Sequence, residues 1–121
     1  MARKKILIVD DEPAIVALLR ASLLGAYEIF TAGDGEEGFQ KALDNPPDLI
    51  LSDILMPKAD GFALLAKLRA NVSTRRIPTI VLSAVTDTNS IFQATELGAA
   101  DYLMKPFQVA DVPRMVKRHI S

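Results

Sequence analysis

Apolar residues in this chain form short unbroken runs, separated by stretches where they recur every three or four positions. Ile6-Leu7-Ile8-Val9, Leu49-Ile50-Leu51, Ile80-Val81-Leu82 and Tyr102-Leu103-Met104 are the runs. An apolar run without polar alternation is what a strand shows when both faces are covered. The pattern predicts strands over Lys5 to Val9, Tyr27 to Thr31, Asp48 to Ser52, Pro78 to Leu82 and Asp101 to Met104. Between them lie helical stretches. One starts near Glu12-Pro13, with Ile15, Leu18, Leu19 and Leu23 on a single face and Gly25 as its stop. Others are predicted over Glu36 to Leu43, Phe62 to Ala70 and Thr88 to Leu97. The last starts at an Asp111 N-cap with Pro113 in its first turn and ends near Ile120. In the fourth helix, Phe92, Thr95 and the alanines are assigned to the core side, leaving Ile91 exposed. Strands alternating with helices predict an α/β fold with a parallel sheet covered on both faces.

Composition narrows this picture only slightly. The chain has 121 residues, enough for one domain (1–121). A net charge of −1 provides no broad basic face for nucleic acid. The absence of cysteine excludes disulfides and thiolate metal sites and fits a cytoplasmic protein. No apolar stretch is long enough for a signal-peptide core or a membrane span.

The chemistry sits where the strands end. The first run ends in Asp10-Asp11, the third strand in Asp53, the fourth in Ser83 and the fifth in Lys105-Pro106. In an open parallel sheet, ligands collect at the carboxyl ends of the strands. Three carboxylates, a hydroxyl and an ammonium at one rim form an inventory able to hold a divalent cation and a phosphoryl group on a carboxylate. Gly33-Asp34-Gly35 lacks the spacing and lysine of a phosphate-binding loop and reads as a turn. The single histidine, His119, reads as a surface residue near a helix C-terminus, where positive charge is favoured.

Asp10-Asp11, Asp53, Met56-Pro57, Asp60-Gly61, Ser83-Ala84 and Lys105-Pro106-Phe107, in this order, resemble the receiver domain of bacterial two-component response regulators. The resemblance runs from Ile6 to about Ile120. It implies a doubly wound, flavodoxin-like sheet of five parallel strands in the order 2-1-3-4-5 with about five helices; a chemotaxis receiver is itself the standard illustration of that order. It implies Asp53 as phosphoryl acceptor. Mg²⁺ would be held directly by Asp11, Asp53 and the backbone carbonyl of Leu55, and by Asp10 through a water. Lys105, aimed by a cis bond to Pro106, and Ser83 would take phosphoryl oxygens. Ser83 and Tyr102 would form the switch, altering the face of the fourth helix, fifth strand and last helix.

The implied partners are a sensor histidine kinase or phosphotransfer protein upstream, and a downstream protein or an output domain absent from this chain. The module would assist its own phosphorylation and dephosphorylation without turning over a metabolite. The absence of a linker after Ile120 fits a complete single-domain protein and a module of a longer regulator or hybrid kinase equally. Both a monomer and a phosphorylation-dependent homodimer fit the sequence, although Pro113 departs from a regular last helix. A Mg²⁺-dependent aspartyl phosphatase would need a second aspartate where Leu55 stands. A flavin-binding module would need a Ser/Thr/Gly-rich loop in place of Asp10-Asp11. A degenerate receiver would lack charged groups that are all present here.

Leu55 and Val85 are apolar at two positions that the resemblance places at the mouth of the site. Neither can orient an attacking water by hydrogen bonding, so loss of the phosphoryl group is expected to be slow. Its decay with Mg²⁺ present, compared with Leu55→Asn and Val85→Glu, tests this: unchanged rates in both variants refute it.

Overall fold

The computed structural model describes residues 3–54, 61–84 and 88–120. Five strands alternate with five helices among them. These are β1 (Lys5–Val9), α1 (Pro13–Leu23), β2 (Glu28–Ala32), α2 (Gly35–Asp44), β3 (Leu49–Asp53), α3 (Gly61–Ala70), β4 (Thr79–Ala84), α4 (Thr88–Glu96), β5 (Asp101–Lys105) and α5 (Asp111–His119). All strands pair in parallel in the order β2-β1-β3-β4-β5. The sheet order is therefore the expected one. Strand ends shift slightly: Asp53, Ser83 and Lys105 lie inside their strands rather than just after them.

Burial explains why these runs became strands. Ile6, Leu7, Ile8 and Val9 are all essentially inaccessible, as are Leu49, Ile50 and Leu51. Each such side chain contributes roughly 1.5–3 kcal/mol when removed from water. Successive strand residues point to opposite faces. Ile6, Ile8, Leu49, Leu51, Ile80, Leu82 and Leu103 meet α1 and α5 through Leu19, Leu23, Val112 and Val116. Leu7, Val9 and Ile50 meet α2 and α3 through Ala42, Leu64 and Leu68. Ile54 and Val81 pack with Leu65 and with Ala94 of α4.

Helix boundaries follow local chemistry. Pro13 opens α1, and Gly25 beyond its end takes φ 91°. Asp34 caps α2 by accepting from Glu37 N at 2.8 Å, while Glu37 Oε1 accepts from Gly33 N at 2.8 Å. Asp111 is the first residue of α5 rather than its N-cap, and Pro113 falls in the first turn, where no intrahelical donor is lost. At the far end of the sheet, Arg69 donates to Arg75 O and Ile77 O, both at 2.6 Å, tying α3 to the approach to β4.

Two further expectations are corrected. In α4 the small Ala94 faces the core, whereas Phe92 is 69% exposed, Thr95 is exposed and Ile91 is half-buried. Ile91 lies one helical turn before Ala94 and shares its side, while Phe92 points away. His119 is half-buried, with Nε2 3.0 Å from Asp101 Oδ2. No helix among the described residues is long and apolar enough to cross a membrane.

Gly38 on α2 shows how closely the layers approach. A Cβ there would lie 2.8 and 3.1 Å from the two methyls of the buried Val9. Gly38→Ala raises helix propensity but overpacks this contact. It is expected to lower stability by about 1–3 kcal/mol, measurable by urea unfolding; a stabilised variant would refute the steric argument.

Candidate functional site

The sheet itself assembles the site. Asp10 continues the line of Ile6 and Ile8, Asp53 that of Leu49 and Leu51, and Lys105 that of Leu103. Their shared parity sends all three side chains toward the same face of the sheet. The β1–β2 ladder extends one step past β1, where Asp10 N donates to Ala32 O at 3.1 Å. Asp53 is paired with Leu82, and Ser83 is the next residue along β4, 3% exposed.

The backbone around Asp53 is tightly held. Ile54 N donates to Leu82 O at 3.2 Å, and Gly61 N donates to Ile54 O at 2.8 Å. A Cβ on Gly61 would fall 2.2 Å from Asp53 O. Glycine is therefore required where α3 begins against the end of β3.

Charge dominates the rim. Asp10, Asp11 and Asp53 each offer a carboxylate oxygen within 4.8 Å of the others. Lys105 Nζ lies 3.4 Å from Asp53 Oδ2, 3.6 Å from Glu12 Oε1 and 3.7 Å from Asp10 Oδ2. Burial alone would lower the Lys105 pKa, but Asp53, Asp10 and Glu12 outweigh it and hold the amine above its ordinary value. Asp10 is 2% exposed, and its carboxyl is pushed up to about 6, first by desolvation and then by the charge of Asp53. Hydrogen bonding from Glu12 N, at 2.9 Å to Asp10 Oδ1, opposes that shift. Asp10 Oδ2 is buried without a hydrogen-bond partner among the described residues.

Crowded carboxylates with an unsatisfied buried oxygen fit a hard divalent cation of the Mg²⁺ type, which takes oxygen ligands and relieves the repulsion. A cleft of about 480 Å³ opens beside this cluster between Asp11, Arg20 and Gly33.

The structure thus brings Asp10, Asp11, Asp53 and Lys105 together, with Ser83 on the neighbouring strand. The Lys105–Pro106 peptide is cis. Tyr102 is 41% exposed. Leu55, Met56-Pro57, Asp60 and Val85 lie outside the described residues. Glu12 escaped the sequence reading, which used it only to start a helix. The available signal was a glutamate at a helix N-cap, a position that favours shorter polar side chains.

The family described as the response regulator receiver domain matches residues 6–117. The alkaline phosphatase synthesis transcriptional regulatory protein PhoP of Bacillus subtilis is 42% identical over 115 residues, covering 94% of this chain and 47% of that protein. The chain spans about half the length of this and similar curated relatives. A putative response regulator from Chloroflexus aurantiacus superposes with a TM-score of 0.92 at 36% identity, covering 96% of each chain. The receiver domain of a sensor histidine kinase from Pseudomonas aeruginosa, solved with a magnesium ion coordinated in its active-site cleft, gives 0.90 at 32% identity over 98% of each chain.

The raised Asp10 pKa has a stability consequence in metal-free protein. Between about pH 4 and about pH 6 the folded state keeps a proton that the unfolded chain has released. Stability from this group is therefore present at low pH and lost as pH rises through that window. In EDTA, Asp10→Asn is expected to stabilise the protein at pH 7 by about 1–3 kcal/mol and to flatten the profile. Unfolding midpoints measured from pH 4 to 8 check this; an asparagine variant less stable than the parent at pH 7 contradicts it.

Proposed function

The chain belongs to the response regulator receiver domain family, and on that premise we propose that Asp53 is its phosphoryl acceptor. Receivers of this family take a phosphoryl group onto their own aspartate in a Mg²⁺-dependent reaction, and they turn over no external substrate. The observation that carries the residue assignment is the Lys105 ammonium within 4 Å of two buried carboxylates, Asp10 and Asp53, at the carboxyl rim of the sheet.

Asp10, Asp11 and Asp53 would hold the magnesium ion, joined by the Leu55 carbonyl as the family pattern implies. When bound, the ion supplies positive charge that offsets the oxygens of the transferring group. Asp53 presents a carboxylate oxygen to phosphorus; the new O–P bond forms as the donor's N–P bond breaks, and the electron pair leaves with the imidazole. A carboxylate is a weak nucleophile, so positioning and charge neutralisation perform the catalysis. The backbone bonds that fix Ile54 and Gly61 hold Asp53 in place. Lys105 offers its ammonium to one phosphoryl oxygen and the Ser83 hydroxyl binds another.

The upstream partner is a phosphotransfer protein, in our reading a sensor histidine kinase or an intermediate phosphohistidine carrier. Downstream, Ser83 moving toward the phosphoryl group would let Tyr102 turn inward from its exposed position. Val81 and Tyr102 are register partners on β4 and β5, which supports coupling between these strands. The surface altered is α4, β5 and α5, read by another protein, an output domain or a second copy. We further infer a cytoplasmic module of residues 1–121 that touches neither nucleic acid nor membrane directly.

Acetyl phosphate with Mg²⁺ followed by intact mass tests the assignment. The parent should gain one phosphoryl group, EDTA should prevent it, and Asp53→Asn should abolish it. Full phosphorylation of the asparagine variant would overturn Asp53 as acceptor.

A further inference from the structure

Glu12 occupies an unusual place. It is the N-cap of α1, yet its side chain makes no capping hydrogen bond. Serine, threonine, aspartate or asparagine at this position would normally satisfy a free helix donor. The Glu12 backbone is firmly held: its N–H donates to Asp10 Oδ1 at 2.9 Å, and its carbonyl accepts from Ile15 N and Val16 N, each at 3.1 Å. From that fixed base the carboxylate extends to Lys105, 3.6 Å away, between the 3.4 Å of Asp53 and the 3.7 Å of Asp10. Asp10 and Asp53 belong to the metal-binding cluster; Glu12 does not.

We propose that Glu12 is a positioning residue that restrains phosphorylation, holding the Lys105 ammonium in the unphosphorylated protein and keeping a negative charge beside it. This rests on the reading of Lys105 as a phosphoryl-binding group. An arriving phosphoryl oxygen must displace the Glu12 carboxylate from the amine. Metal at Asp10 and Asp53 leaves Glu12 with its hold on the amine. The Glu12 side chain is 59% exposed, so water and salt weaken the pair and it can be released. The result is a graded brake on the rate of phosphoryl acceptance, distinct from the acceptor chemistry itself.

The test compares parent, Glu12→Gln and Glu12→Asp at saturating Mg²⁺, with acetyl phosphate as donor and intact mass as readout. The glutamine variant should be phosphorylated about three- to tenfold faster at low ionic strength. That advantage should shrink toward parity in about 0.5 M salt, which a purely structural role would not produce. The aspartate variant, which keeps the charge, should stay within about twofold of the parent. In metal-free protein, the Lys105 ammonium resonance should move in Glu12→Gln. Equal low-salt rates for glutamine variant and parent, an advantage that salt does not diminish, or an unmoved Lys105 resonance would each overturn the proposal. If the parent itself takes up no phosphoryl group, the Asp53 assignment fails instead, and the Lys105 resonance still decides whether the Glu12 pair exists.

Discussion

Three carboxylates and one ammonium share a rim from which water is partly excluded, and the rest of the molecule is arranged around that conflict. Like charges this close raise each other's energy, and burial adds to the cost for Asp10. Lys105 relieves part of it through Asp10, Asp53 and Glu12 but leaves one buried Asp10 oxygen without a hydrogen bond. A site left deliberately short of positive charge attracts a divalent cation and then tolerates a phosphoryl group. A neutral, fully satisfied rim would bind neither.

Holding charges this way requires a rigid frame. The strands that carry Asp53 and precede Asp10 are central and buried along nearly their whole length, while the edge strands β2 and β5 are partly exposed. The cost of crowding is thus offset by two well-packed apolar layers, and the parity of each strand decides which end groups converge. Gly61 and Gly38 mark the places where helices approach closely enough that a methyl group would collide. Lys105 is different: it enters from an edge strand that is only partly buried.

Much of this was legible in the chain. Continuous apolar runs announced buried parallel strands, and the charged residues at their ends pointed to one rim. On α4 the core side was rightly given to Ala94, but Phe92 and Thr95 were wrongly added to it and Ile91 left out, because hydrophobicity alone does not show which side of a short helix meets the sheet. His119 does lie in the last turn of a helix, as read, but its contact with Asp101, 18 residues away on another element, was not visible in the chain. Glu12 was overlooked for a similar reason: a glutamate at a helix start carries no sign of which distant amine it will meet.

By itself the sequence determined the strand–helix alternation and the chemical inventory at the strand ends. These depend on local propensity and periodicity, which a linear chain displays directly. Only the tertiary structure decided the distances among Asp10, Asp11, Asp53 and Lys105, the addition of Glu12 to that group and the raised pKa of Asp10. Separation and burial are properties of packing between elements remote in sequence, and the strength of an electrostatic interaction depends on both.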